Sequence, residues 1–382
     1  MRLFLISALL HAYVGWRILP ALPGPIWADA LVGALLVVSA LLMPLTLFAR
    51  RMASRRWSDR ATWAGSLAMG FFSSLFVLTL LRDAVLVGAE GVGWLAPAWL
   101  APGALAELAT ASALLVPVGA ALATLWGFVN ARRTAAVVSV DVPIAGLPSA
   151  LHGFRIAQIS DIHVGPTIKR AYLQAIVQAV NRLDADMVAV TGDLVDGSVQ
   201  DLGVHVAPLA TLASRHGTYF VTGNHEYYAG AHAWIAELRR LGVQVLMNEH
   251  VVLQHGGAAL VVAGVTDFGA HHFDPAHRSD PQAALAGAPA DAGAKVLLAH
   301  QPRSAEAAER AGFQLQLSGH THGGQFLPWN LFVPLQQPFT AGLHRLRRLW
   351  VYVSRGTGYW GPPKRLGAAS EITQLRLVPA SV

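Results

Sequence analysis

Cysteine is absent from this 382-residue chain. Its absence excludes disulfide staples, iron–sulfur clusters, thiolate zinc sites and cysteine nucleophiles. Charge is scarce as well. Asp, Glu, Lys and Arg make up 13% of the sequence, about half of the roughly 25% usual for a soluble domain. The polar part of the chain also lacks a concentrated basic face, although the net charge is +6. The first 136 residues hold 10 arginines and 5 acids, whereas the rest holds 18 basic and 17 acidic residues with 15 of the 16 histidines. The basic excess therefore belongs to an apolar N-terminal region. Nucleic acid is not an expected partner.

What is present instead is hydrophobic length. Hydrophobic residues make up 54% of the chain. Four apolar runs, at about 3–22, 30–49, 61–81 and 105–129, are each long enough to cross a hydrocarbon core of ~30 Å. They have almost no polar face, so a soluble helical domain does not explain them. The reading is a membrane domain over 1–136 with four transmembrane helices, a linker over 137–153 and a catalytic domain over 154–382. Arg50, Arg51, Arg55, Arg56 and Arg60 follow the second run, and Arg132 and Arg133 follow the fourth. The positive-inside rule then places both termini and the second domain in the cytoplasm, on an inner or plasma membrane. Arg17 interrupts the first run. It either snorkels to the interface near Pro20 or faces a neighbouring helix or a headgroup, and snorkelling is the expectation. The spans show little paired charge, which disfavours a transporter or channel.

After the membrane region the pattern becomes short strands alternating with amphipathic helices. Strands are expected at 155–159, 186–190, 218–221, 295–299 and 313–317, among others, and helices at 169–183, 202–215, 233–241 and 305–311. This is an α/β layered domain, and denser strand content later in the chain suggests a second sheet. Polar residues stand directly after the strands. They are Asp161-Ile162-His163, Gly192-Asp193, Gly223-Asn224-His225-Glu226, His300 and Gly319-His320-Thr321-His322. The carboxyl ends of strands form the ligand crevice of such folds. Five strand ends thus deliver carboxylate, amide and imidazole donors to one rim, the chemistry of a two-metal site. Singly, Asp161, Asp193 and Asn224 would read as helix caps; the complete ordered set does not.

The same blocks, in this order and spread over about 160 residues, resemble the calcineurin-like metallophosphoesterase superfamily. The stretches 191–196, 319–325 and 353–358 are similar to a membrane-associated bacterial branch. That branch includes UDP-diacylglucosamine pyrophosphatases of lipid A synthesis and transmembrane metallophosphoesterase-domain proteins. The resemblance covers about 154–377 and implies a four-layer α/β/β/α sandwich, here preceded by an all-α bundle of four transmembrane helices. It implies one divalent ion on Asp161, His163, Asp193 and His322, and a second on Asp193, Asn224, His300 and His320. Asp193 would bridge the two ions, and a hydroxide between them would be the nucleophile. It further implies that His225 is not a ligand but a general acid or charge stabiliser. Manganese is the first choice of metal, with iron, zinc, nickel or magnesium also compatible with these donors.

Other residues receive smaller roles. Glu226 is expected to orient His225 or a ligand histidine. Asp196 is expected to be structural. Arg355, with Lys364 and Arg365, is a candidate phosphate-holding group. His232 reads as a surface residue, and the cluster of His271, His272 and His277 as either a metal-binding group or a solvated loop, with the loop the expectation. The apolar stretch 326–339 is either a lipid-facing lip or packed core. The resulting expectation is a membrane-anchored phosphodiesterase or pyrophosphatase acting on a phosphorylated or nucleotide-linked lipid at the cytoplasmic leaflet. The alternatives are a phosphohydrolase of soluble nucleotides or phosphomonoesters, and a non-catalytic metal-bearing interaction module.

Overall fold

Apolar residues without interruption by proline pairs or turn chemistry give long helices, and they do so here. The computed structural model describes residues 2–49, 52 and 54–380. Arg50 and Arg51, which carry part of the orientation argument, lie outside the described residues. The chain divides into two units, Met1–Val129 with Gly361–Lys364, and Asn130–Trp360 with Arg365–Val382.

The first unit is built on α1 (Arg2–Ile18), α2 (Ile26–Ala49), α3 (Arg55–Leu95) and α4 (Ala104–Arg132). All four lie in segments long and apolar enough to cross a membrane. Helix α3 runs for 41 residues, well past the apolar run at 61–81. Nothing in its sequence breaks it before Pro97, because arginine is a good helix former and aspartate a tolerated one. Arg82 and Asp83, which the apolar run at 61–81 leaves in the following loop, therefore sit inside it. Val14, Ile18, Phe72, Leu75, Ala113, Val116 and Ala120 form the buried core of this unit.

Arg17 does not snorkel. Its Nε donates to Asp83 at 2.9 Å, and Tyr13 Oη donates to the same carboxylate at 2.5 Å. Arg82 is buried and donates to Arg17 O at 3.1 Å, Ala109 O at 3.0 Å and Ser112 Oγ at 3.0 Å. The bundle thus contains the paired charge that the linear sequence hid. An arginine among apolar helices is costly unless an anion and carbonyl oxygens satisfy it, and the partner lies 66 residues away.

Among the described residues, the second unit holds twelve strands in two sheets of six. The first sheet has the order β1 (Ala136–Ile144), β12 (Glu371–Pro379), β2 (Arg155–Ile159), β3 (Met187–Val190), β4 (Thr218–Phe220) and β5 (Gln244–Val245). Strands β2 to β5 are parallel. The second sheet has the order β10 (Gly342–Leu346), β11 (Leu349–Val353), β9 (Leu315–Ser318), β8 (Ala294–Leu298), β7 (Ala258–Gly264) and β6 (Glu249–His255), with a parallel centre and antiparallel edges. The stretch 137–153 is accordingly not a linker throughout. Its first residues are an edge strand paired parallel with β12, from Ala136 opposite Glu371 to Ile144 opposite Pro379.

Inward-facing residues of both sheets make one core, among them Ile156, Met187, Tyr219, Leu260, Val262, Val296, Leu298, Leu315 and Leu317. The outer face of the first sheet is covered by α5 (Arg170–Asn181), α6 (Val199–Val206) and α8 (Ala231–Arg240), through Leu173, Ile176, Leu202 and Trp234. The outer face of the second is covered by α9 (Pro281–Ala284) and α10 (Ala305–Ala311), through Ala284, Ala305 and Ala308. The result is the four-layer α/β/β/α sandwich. The short α7 (Asn224–Ala229), unread in the sequence, begins at the end of the β4 connection.

Candidate metal centre

Parallel strands carry their carboxyl ends to one edge, and the two sheets place that edge in common. Asp161 and His163 follow β2, Asp193 follows β3, Asn224 opens α7 after β4, His300 follows β8, and His320 and His322 follow β9. Three overlapping groups of donor atoms result: Asp161 with His163 and His322, His163 with Asp193 and His225, and Asp193 with His300 and His320, each group within 4.8 Å. Asp193 Oδ2 lies 4.0 Å from His163 Nε2 and 3.1 Å from His300 Nε2, so one carboxylate oxygen stands between two imidazole sets. His163 Nε2 lies 3.0 Å from His322 Nε2, and His300 Nε2 lies 3.2 Å from His320 Nδ1.

These side chains reach the centre through unusual backbone. Asp161, His163, Asp193, His320 and His322 all have positive φ, between 52° and 71°. That region is disfavoured for residues with a Cβ, and such conformations concentrate where function requires them. Two glycines permit the close approach of the loops. A Cβ on Gly223 would strike Asp193 Oδ1, and one on Gly319 would strike Ser160 Oγ and Asp161 Oδ2.

Hydrogen bonds fix the ring orientations. His300 Nδ1 lies 2.8 Å from Thr191 O and must donate there, which leaves Nε2 to the centre. Asp196 Oδ1 lies 3.3 Å from His163 Nδ1 and 2.5 Å from His225 Nδ1. Asp196, expected to be only structural, therefore orients one ligand candidate and the proposed acid together. Its spacing three residues after Asp193 was the available signal. At His322 the arrangement differs. Arg365 Nη2 lies 3.1 Å from Nδ1, and a guanidinium can only donate, so Nε2 carries the ring proton, with His163 Nε2 at 3.0 Å as its acceptor. An ion at that Nε2 requires this contact to give way.

The electrostatics follow from burial and crowding. Burial lowers His225, but the hydrogen bond to Asp196 and the charges of Asp193, Asp196 and Glu226 outweigh it and lift the imidazole to about 9. Burial and the neighbouring His300 charge pull His320 down to about 3. Asp161 is raised by burial, with the Asp193 charge adding to it. Asp193 is held well below the usual carboxylate range: burial opposes this, and the surrounding histidine charges overcome it.

Several expected roles change. Among the described residues the Glu226 carboxylate bonds backbone and not a histidine ring. Its two oxygens accept from the backbone N–H groups of Asp193 at 3.0 Å, Leu194 at 2.8 Å and Gly223 at 2.7 Å, bracing two ligand loops against each other. Arg365 is fully buried, with carbonyl oxygens of His322 and Arg355 as acceptors, so it is not a substrate group. Arg355 is bound by the buried carboxylate of Glu371 at 2.8 Å, a partner absent from the sequence reading because it lies in β12. Tyr228 and Trp360 were also missed. Their rings lie 5.2 and 5.8 Å from that of His225 and form an exposed aromatic wall beside it. The stretch 326–339 is mostly not core: Leu331 is 69% and Leu335 80% exposed.

The donor set suits divalent ions. It joins imidazoles, carboxylates and an amide oxygen. Asn224 Oδ1 is buried and has no hydrogen-bond partner among the described residues, as expected for a ligand atom awaiting a cation.

The relatives agree with this geometry. The description "Calcineurin-like phosphoesterase" matches residues 154–324. A transmembrane protein with metallophosphoesterase domain from Bos taurus is 43% identical over 286 residues, covering 72% of this chain and 64% of that protein. An uncharacterized metallophosphoesterase of Campylobacter jejuni is 36% identical, covering 65% of this chain and 64% of its own. One from Aquifex aeolicus is 33% identical, covering 56% of this chain and 80% of its own. The chain thus spans a little under two thirds of the first two of these relatives.

Proposed function

The chain belongs to the calcineurin-like metallophosphoesterases, and on that premise we propose that it is a membrane-anchored hydrolase of a phosphodiester or pyrophosphate bond. The observation that carries this reading is Asp193 Oδ2 set between two histidine groups, with a buried Asn224 Oδ1 that has no hydrogen-bond partner among the described residues in the loop whose His225 N–H donates to Asp193. Asp161, His163, Asp193 and His322 would hold one divalent ion, and Asp193, Asn224, His300 and His320 the other. When bound, the pair supplies an activated water and a clamp on the phosphoryl oxygens.

The chain's own residues account for the remainder. Asp196 accepts from His225 Nδ1 and orients the imidazole, and in the metal-free chain the nearby carboxylates favour its cation. The imidazole can therefore deliver a proton from Nε2 to the leaving oxygen. Tyr228 and Trp360 flank the imidazole on that side. Glu226 and Asp161 hold the ligand loops in place through backbone N–H groups.

A substrate with a lipid part is supported by the exposed apolar segment containing Leu327, Trp329, Leu331, Phe332 and Leu335. This segment packs on Gly324, two residues beyond His322, where an added Cβ would strike Asn330. Apolar patches of this kind mark ligand or membrane contact. A cytoplasmic site follows from the arginine distribution by the positive-inside rule.

The test uses the full chain in detergent, stripped with chelator and reloaded with Mn²⁺, on an aryl phosphodiester. Asp193→Ala should abolish turnover and His225→Ala should lower it; full activity in both would overturn the assignment. Lipid extracts from a deletion strain and an Asp193→Asn strain should then accumulate the same phosphorylated or nucleotide-linked lipid. Unchanged lipids would exclude the lipid substrate while leaving the hydrolase intact.

A further inference from the structure

Outside this centre a second convergence of ligand atoms stands on the surface of the same unit. His232 lies in the first turn of α8, and Asp274 and His277 flank a short 3-10 turn at Pro275–His277. Their ligand atoms all fall within 4.8 Å of one another. His232 Nε2 is 3.0 Å and His277 Nε2 3.8 Å from a single oxygen, Asp274 Oδ2. The other oxygen, Oδ1, caps the turn by accepting from Ala276 N–H at 2.9 Å.

We propose that His232, Asp274 and His277 bind a zinc-class divalent ion, distinct from the central pair, that clips the 267–278 segment to α8. A His–Asp hydrogen bond needs one imidazole. Here two imidazoles from separate elements converge on one carboxylate oxygen, and the two separations bracket the edge of about 3.3 Å expected between ligands of a tetrahedral ion with bonds of ~2.0–2.1 Å. Asp274 keeps its capping bond while offering Oδ2. The fourth position faces solvent, because the His232 side chain is 73% exposed.

A supporting shell is already built. His277 Nδ1 lies 3.0 Å from Tyr227 Oη, and Tyr227 Oη lies 3.4 Å from Thr222 Oγ1, which accepts from Asp267 N–H. With Nδ1–H donating to Tyr227, Nε2 presents its lone pair to Asp274, the arrangement that fixes metal-ligating histidines elsewhere. Thr266 Oγ1 donates to His277 O at 2.8 Å and closes the segment on itself. The segment carries Phe273, whose ring packs 5.8 Å from Tyr227 and 5.5 Å from Tyr228, and Tyr228 faces His225. An ion at this site therefore stiffens the aromatic rim beside the proposed acid without touching the central donors. His271 and His272, grouped with His277 in the sequence, are not members.

The experiment uses the untagged full chain in detergent, stripped of metal, equilibrated with Zn²⁺ and desalted. Wild type should retain one more zinc per chain than His232→Ala, His277→Ala or Asp274→Asn. The last variant keeps the cap acceptor, so a folding defect is not the expected cause. Metal-free melting temperatures equal to wild type verify that each variant folds. Zinc should slow amide exchange across 267–278 in wild type and not in the variants. Equal zinc content in wild type and all three variants would overturn the proposal, as would exchange in wild type that zinc leaves unchanged. Neither readout depends on phosphoesterase activity, so failure here and failure of the hydrolase reading are distinguishable.

Discussion

Replacing Asp196 by Asn isolates the proposed proton donor from the metal ligands. Asp196 Oδ1 accepts from His225 Nδ1 at 2.5 Å, the short contact of a charged pair, and only more weakly from His163 at 3.3 Å. Asn at this position keeps an acceptor but loses the charge that helps hold His225 protonated. A hydrogen bond to a charged group is worth ~1.5–3 kcal/mol; a loss of about 2 kcal/mol in the transition state is roughly 30-fold in kcat. The effect must depend on the leaving group. A nitrophenolate departs without a proton, so the loss should shrink to a few-fold, whereas an alkoxide needs one and should show the full loss. The assay compares kcat for nitrophenyl and alkyl phosphodiesters in wild type, Asp196→Asn and His225→Gln, with bound metal measured in each. Equal losses on both leaving groups, or loss of a metal ion in Asp196→Asn, would refute the reasoning.

Three further outcomes are expected. Gly223→Ala should lower both metal content and kcat by at least roughly fivefold, since overpacking costs about 1–3 kcal/mol and the new methyl strikes Asp193 Oδ1; unchanged metal binding would contradict the close approach. In the metal-free chain, His225 is raised from 6.5 to about 9, so its stabilisation is complete below about pH 6.5 and is lost as pH rises through about 9, by about 3 kcal/mol. Thermal melts from pH 6 to 10 should show that loss in wild type and not in His225→Gln. In the helical unit, Asp83→Asn leaves Arg17 and Arg82 without their anion and should destabilise the detergent-solubilised chain by about 2 kcal/mol. The double variant Arg17→Leu, Asp83→Leu should recover part of it, because an apolar replacement of a pair costs less than half a pair; a double variant worse than Asp83→Asn would refute the pairing.

What the sequence disclosed was local, and what it hid was distant. The donor blocks were legible because each is one to four residues long and follows a short buried apolar strand, and the glycines marked the loops. Strand β1 was hidden because its partner β12 lies more than two hundred residues later, and an edge strand looks like a linker until it is paired. Glu226 was placed correctly in the chain but given the wrong contacts, since nothing in Asn-His-Glu says whether a carboxylate turns to a ring or to a backbone. Arg17 and Asp83 were separated by 66 residues, so charge that reads as a snorkelling residue and a loop residue became one pair. The His232–Asp274–His277 group joins a helix start to a later turn, and His271 and His272 drew attention away from it.

The same non-local contacts explain how five ligand candidates remain at positive φ. Each such residue costs about 1–3 kcal/mol unless its surroundings over-determine it, and here the loops hold one another. Asp161 N donates to Gly192 O at 3.0 Å, His163 N to Asp193 O at 3.1 Å and Gly358 N to Asp161 O at 3.1 Å. The ligand carboxylates join the same lattice, with Asp193 Oδ1 accepting from His225 N and Asp161 from His320 N. Every donor loop is thus bonded to at least one other before any ion is considered. The centre is shaped by backbone hydrogen bonds between strand ends of two sheets, and the metal-facing atoms are those that this lattice leaves over. Substitutions in it should be strongly non-additive for that reason, because removing one carboxylate frees an N–H on a different loop and not only a ligand on its own.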